Sequence, residues 1–355
     1  MDPLTVDREF YELIRARYCA RPYEAKPGVW VRCGSRLKAE CESCAELYRG
    51  DWAAIARSGI FDEDGEVVEG FRYAFLTLTA PSFGKVDETG AAIDPTTYDY
   101  LGQVAWNYAS SALWRSTLHR LHRQFSGLAY FAVIEAQRRG VRHYHVVLRI
   151  PDGEAPLFPE AIGQVARVAT TQHAGAVIEW GTQIDCQYIS GTTDAARGEM
   201  AQTVWYISKA LGYALKSVDE NDLVAKPGAT GSPHIEHLRA LASAARNDLW
   251  CARCPVNGPR DCAAPIHGNF GSSCQVVLYA RGSKNRPSWS FVGLTRTKQR
   301  EDRTAWMRTE VAAGRREQRD GMSEQERQAA EWIRANRRLR NDPSPAEEPC
   351  ASRAP

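Results

Sequence analysis

At 355 residues, 43% hydrophobic and 25% charged, the chain can bury one large core or two modest ones and has ordinary globular composition. No apolar run approaches the ~20 residues of a bilayer crossing, which excludes a membrane-spanning helix, and residues 1–9 are acidic with no apolar stretch after them. No secretory leader is therefore expected, and the expected location is cytoplasmic.

A net charge of +2 announces no polyanionic partner, yet the charges are segregated. Residues 103–149 hold seven arginines and a single acid, Glu135; residues 262–300 hold six basic residues and no acid. Acids gather instead at 62–69, 87–88 and 219–222. Such segregation suits two basic surfaces facing phosphate, with Arg138, Arg139, Arg142, Arg281, Lys284 and Arg286 as the candidate contacts, although charge runs are usually just solvated faces.

In chain order, residues 1–70 read as mostly helical, with a helix from about Cys44 to Arg57 closed by Gly59. A strand over 73–79 ends at Ala80-Pro81-Ser82. A long helix over 101–125 turns Val104, Trp106, Ala109, Leu113, Leu118 and Leu121 inward and leaves Arg115, Arg120 and Arg123 outside. A hairpin follows, 129–136 and 142–150, turned by Gln137-Arg138-Arg139-Gly140. A helix over 160–171, a strand pair or one long strand over 176–189 and a helix over 196–217 complete a β, α, ββ, α, β, α order. That order predicts an α+β fold, an antiparallel sheet with helices on one face, close to ferredoxin-like arrangements. Short strands are expected at 275–279 and 288–292, charged helices at 296–313 and 323–339, and a disordered Pro-rich acidic tail.

The chain has ten cysteines, which without an oxidising compartment point to metal before disulfides. Cys33-x7-Cys41-x2-Cys44 and Cys251-x2-Cys254-x7-Cys262 are mirrored knuckles, each with three thiols for a structural Zn2+ that takes four ligands. Cys19 could complete the first, and Cys274 or His267 the second. Alternatively the two knuckles share one site, or the thiols are packed as small hydrophobes.

The pattern that carries chemistry is His143-Tyr144-His145. On a strand the two imidazoles share a face, and a hairpin centred on Arg139 brings Glu135 opposite His143. Two imidazoles and a carboxylate make a plausible divalent-cation site, although a Glu–His pair across a hairpin would look the same. On the helix over 196–217, Tyr206 and Lys209 are neighbours on one face, and Tyr213 returns two turns later. An ammonium beside a phenol lowers its pKa and prepares it as a nucleophile, but the same spacing also describes a packed aromatic beside a solvated lysine. Thr77 and Thr79 share one face of the first strand.

This ordered set (threonine strand, His-hydrophobic-His strand, Tyr-x2-Lys helix) resembles the HUH endonucleases that initiate rolling-circle replication. It is similar in particular to actinobacterial plasmid replication initiators of the RepSA type. The likeness runs through Cys33-Gly34, Cys41 to Arg49, the "FLTLTAPSFG" stretch from Phe75, His143 to Val147, Trp180 to Asp185 and the Tyr206/Lys209 helix. It departs where Ala210-Leu211-Gly212 separates Lys209 from Tyr213; in the family a second tyrosine often follows the lysine directly.

The resemblance implies that His143 and His145, with Glu135, hold Mg2+ or Mn2+ and that Tyr206 attacks a scissile phosphate. The products would be a 5′-phosphotyrosyl enzyme and a free 3′-OH, with Lys209 assisting and Tyr213 as a second candidate nucleophile. The implied partner is single-stranded or hairpin origin DNA, with a host helicase and polymerase downstream. The implied domains are a helical Cys-bearing segment (1–70), a nickase domain (71–222), a Cys-containing basic region (223–300), charged helices (301–340) and a tail (341–355). A relaxase or single-strand transposase would share the chemistry. A non-catalytic zinc-dependent DNA-binding protein would share only the binding.

Overall fold

The structure, a computed structural model, describes residues 19–26, 29–36, 38, 40–189, 231–272, 276–303 and 305. β-Branched and aromatic runs build its centre: β3 (Phe71–Leu78), β4 (Ala129–Ala136) and β5 (Arg142–Pro151), joined at one edge by β8 (Ile184–Ile189) and at the other by β9 (Val276–Tyr279). Before them come a small ribbon, β1 (Tyr23–Lys26) with β2 (Val29–Val31), and helix α1 (Glu42–Arg57). Helix α2 (Tyr100–Gln124) links β3 to β4. Helix α3 (Glu160–Arg167) and a hairpin of β6 (Thr170–His173) and β7 (Ala176–Glu179) link β5 to β8, and α4 (Pro233–Asn247) precedes β9. The strand order is β8-β3-β5-β4-β9, every pair antiparallel.

Side-chain alternation divides the sheet into two apolar faces. Leu76, Leu78, Ile134, Tyr144, Val146 and Leu148 pack with Trp106, Leu113 and Leu121 of α2 and Ile162 of α3. Burying each such side chain contributes ~1.5–3 kcal/mol. Tyr73, Phe131, Val133 and Val147 on the opposite face pack with Ile55 and Ala56 of α1 and with Trp289. Sequence-based expectation put helices on one face only; α1 corrects this, because the second face is itself apolar and must be covered.

Cys19–Arg296 form one compact unit. Of the other, Met1–Tyr18 with Thr297–Pro355, only residues 297–303 and 305 are described, and they are helical. The predicted helix over 196–217 lies outside the described residues.

Other differences have local causes. The described residues between 19 and 41 hold the β1–β2 ribbon rather than helix. The residue that closes α1 is Ser58, in right-handed helical geometry, and Gly59 serves close packing instead: a Cβ there would lie 2.2 Å from Trp289 Cε2. Helix α3 stops at Arg167, because the β-branched Thr170-Thr171 pair opens β6. Of the two readings of 176–189, a strand pair or one long strand, two strands form, β7 and β8, each pairing with a different neighbour. Residues 288–292 form no strand. The Trp289 amide donates to Ala280 O and the Phe291 amide to Ser58 O, so the segment pairs with two different elements and builds no ladder.

Candidate metal and nucleic-acid site

The β4–β5 hairpin positions the first cluster. Gly140, at φ 78°, supplies the left-handed turn residue, and the resulting register pairs Glu135 with His143 and Val133 with His145. Ligand atoms of Glu135, His143 and His145 all lie within 4.8 Å of one another. His145 Nε2 is 3.1 Å from Glu135 Oε1, and the two imidazole centroids are 4.5 Å apart. The histidines are 8% and 4% exposed. Burial pulls the His143 imidazole down to about 4, with His145 adding to the effect and Glu135 opposing it, so the ring is neutral near pH 7, the form that can ligate a cation.

Three neighbours of this cluster were not anticipated from the sequence. Phe75 stacks flat on His145, centroids 5.6 Å apart and 9° between planes, one pleat along from Thr77, which pairs with His145. Arg139 Nε donates to Gln137 Oε1 at 3.3 Å, which turns the Gln137 amide nitrogen toward His143 Nδ1, also at 3.3 Å. On the other side of Thr77, β8 places Asp185. Strand alternation could have revealed Phe75; Gln137 depends on the conformation of the turn.

Both cysteine knuckles gain a fourth ligand: Cys19 joins Cys33, Cys41 and Cys44, and His267 joins Cys251, Cys254 and Cys262. Each cluster is complete in itself, so the shared four-cysteine site is ruled out. Cys274 lies outside the described residues. Sulfur separations of 3.9 Å (Cys41–Cys19), 3.7 Å (Cys44–Cys19), 3.8 Å (Cys251–Cys262) and 3.6 Å (Cys254–Cys251) match no disulfide. They match the ~3.8 Å edge of a tetrahedron with metal–sulfur bonds of ~2.3 Å.

Backbone amides donate to the sulfurs: Ala20 to Cys41 at 3.3 Å, Cys33 to Cys19 at 3.2 Å and Arg253 to Cys251 at 3.3 Å. Against the upward push of burial, the Ala20 and Cys44 amides pull Cys41 down to about 6, and the Arg253 amide with His267 pulls Cys251 to about 7. His267 Nδ1 donates to Ala245 O at 2.7 Å, which leaves Nε2 as the ligating nitrogen, 3.4 Å from Cys254 Sγ. Both clusters could hold a metal such as zinc.

The expected DNA contacts divide. Arg138, Arg281, Lys284 and Arg286 are exposed, and Arg139 is half-buried. Arg142 is not a surface contact. It is 4% exposed, lies on the α2 side of β5, and donates to Ser110 Oγ and Ser111 Oγ at 2.9 Å. Tyr206, Lys209 and Tyr213 lie outside the described residues. No described helix is long and apolar enough to cross a membrane.

Residues 12–89 and 87–346 match the family described as "Replication initiator protein, pSAM2" (RepSA). A curated "Replication initiator protein" of Streptomyces ambofaciens is 31% identical over 252 residues, 55% of this chain and 54% of its own length. The chain thus spans about half of that relative. No solved structure matches.

Proposed function

Since the chain belongs to the RepSA family of replication initiators, we propose that it starts rolling-circle replication by nicking one strand of origin DNA in a HUH-type reaction. The observation that carries this reading is the convergence of Glu135, His143 and His145 within 4.8 Å on neighbouring strands of an antiparallel sheet. The strand-helix order β3-α2-β4-β5-α3-β8, with β3 and β5 central, supports a ferredoxin-like sheet of the HUH kind.

The donor set, two imidazoles and a carboxylate, suits Mg2+ or Mn2+ and would leave coordination positions open. When bound, such a cation supplies Lewis-acid polarisation of a phosphate oxygen. Phe75 and the Gln137–Arg139 pair hold the two imidazoles in orientation. Tyr206 is the proposed nucleophile: its phenolate oxygen bonds to phosphorus, the P–O3′ bond breaks, and the departing oxygen takes up a proton to become a 3′-OH. Lys209 favours the phenolate by its charge, and Tyr213 is the second candidate. The 3′-OH would prime a host polymerase, with a host helicase opening the duplex in the cytoplasm. The clusters Cys19/Cys33/Cys41/Cys44 and Cys251/Cys254/Cys262/His267 are proposed as structural Zn2+ sites.

Incubating the full chain with origin single strand and Mn2+, then resolving products on a denaturing gel, tests this. A covalent adduct is expected, lost in Tyr206→Phe and in the His143→Ala/His145→Ala pair. An adduct that survives Tyr206→Phe reassigns the nucleophile to Tyr213. Tight DNA binding with no adduct under any metal leaves a zinc-dependent DNA-binding protein.

A further inference from the structure

The second half of α2 and the loop after β9 come from the two acid-poor segments of the chain, and they meet. Arg115, His119, Arg120 and Arg123 on α2, with Arg286 from the loop, line a groove of about 600 Å³. All five side chains are exposed. None of the four guanidinium groups is engaged in an ion pair or hydrogen bond among the described residues. Arg286 is close enough to α2 and β4 that, after burial itself, its charge helps to lower the His122 imidazole and opposes the upward shift of the Tyr130 phenol. A cluster of like charges left uncompensated costs energy until a polyanion neutralises it.

The position of the groove separates it from the histidine cluster. The Ala280 amide bonds to Tyr130 O, so the loop carrying Arg286 leaves the sheet at the start of β4, whereas Glu135 sits near its end. At ~3.4 Å per residue, those ends are roughly 20 Å apart. The groove is also on the α2 side of the sheet, and the histidines are on the α1 side. One phosphate cannot occupy both sites.

We propose that this groove is a second nucleic-acid surface that grips the phosphate backbone of the double-stranded arm of the origin, away from the strand being cut. Duplex is favoured over single strand because, among the described residues, no tryptophan, tyrosine or phenylalanine lines the groove to stack an unpaired base. From Arg115 to Arg123 the helix rises ~12 Å, a length over which B-DNA carries about seven phosphate charges. The inference rests on the initiator reading above for its partner, but not on the nicking chemistry.

The test uses the full chain with Arg115→Ser, Arg120→Ser and Arg123→Ser combined. Binding to a short blunt duplex of unrelated sequence, and to one of its strands, is followed by fluorescence anisotropy across a salt series. Duplex affinity at moderate salt should fall about tenfold or more, and the log–log salt slope should flatten by about 2 to 3, near 0.9 per lost phosphate contact. Single-strand affinity and Mn2+-dependent adduct formation on origin single strand should be unchanged, and the matching triple Arg→Lys variant should keep the duplex slope. An unchanged duplex slope, or an equal loss on both probes, overturns the proposal. Absence of adduct in the parent chain would instead count against the nicking reading alone.

Discussion

Arg149 shows how far a single charge can be turned inward. Its guanidinium donates to Gly59 O (2.9 Å), Trp289 O (2.7 Å) and Ser288 O (2.6 Å), with its end carbon 3.8 Å from the centre of the Phe291 ring. Burial lowers its pKa only to about 10, so it stays charged near neutrality. Arg149→Met should leave three inward carbonyls without a donor and cost about 3 kcal/mol or more in urea unfolding; a loss below 1 kcal/mol would mean the carbonyls find water. The alternation that makes His143 and His145 neighbours, with Glu135 opposite, is plain in the sequence because a tight turn sets the register. The same alternation places Arg142 on the other face, under Ser110 and Ser111, but counting charges ignores faces. Arg149 and Trp289 could not be paired in advance, since 140 residues separate them and only the folded chain joins them.

Among the elements, α2 was legible because its inward residues recur at helical spacing over many turns. The β6–β7 hairpin was not, because its strands are short. Helix α4 adds to the expected order, and its signals are local ones: Ser232 Oγ accepts the Ile235 amide, Pro233 opens the first turn, and Leu238, Leu241 and Ala245 bury together against Val104 of α2. On α4, His237 accepts the Ala92 amide at Nδ1 and donates from Nε2 to Arg139 O, tying the helix to the turn beside the histidine cluster. Burial lowers its pKa below the ordinary histidine value, outweighing the Arg139 carbonyl. The unfolded chain then binds the proton more readily, so this contribution is full above pH ~6.5 and is lost as pH falls from there through the depressed folded value. His237→Gln should flatten the acid limb of a stability-against-pH curve measured by thermal unfolding; an unaltered limb would show that His237 does not titrate with folding.

For the whole molecule, the two four-ligand clusters brace segments that have little other core. Cys19, Cys41 and Cys44 form their own small buried group, and His267 reaches back to the last turns of α4. Purified chain should carry two zinc ions, one per cluster, and chelation should lower the thermal midpoint. Cys41→Ser should halve the zinc found by elemental analysis, and a chain with less than one zinc per molecule would refute both sites. The pairing of β4 with β9 has a consequence for biosynthesis. Phe131 and Tyr279 are partners, so the strand bearing Glu135 keeps an open edge while roughly 150 further residues leave the ribosome. An unfinished sheet edge is a template for wrong pairing. A chain truncated before β9 would therefore be a protein with an exposed, adhesive strand beside its candidate active centre, and the emergence of β9 would decide when that edge is closed.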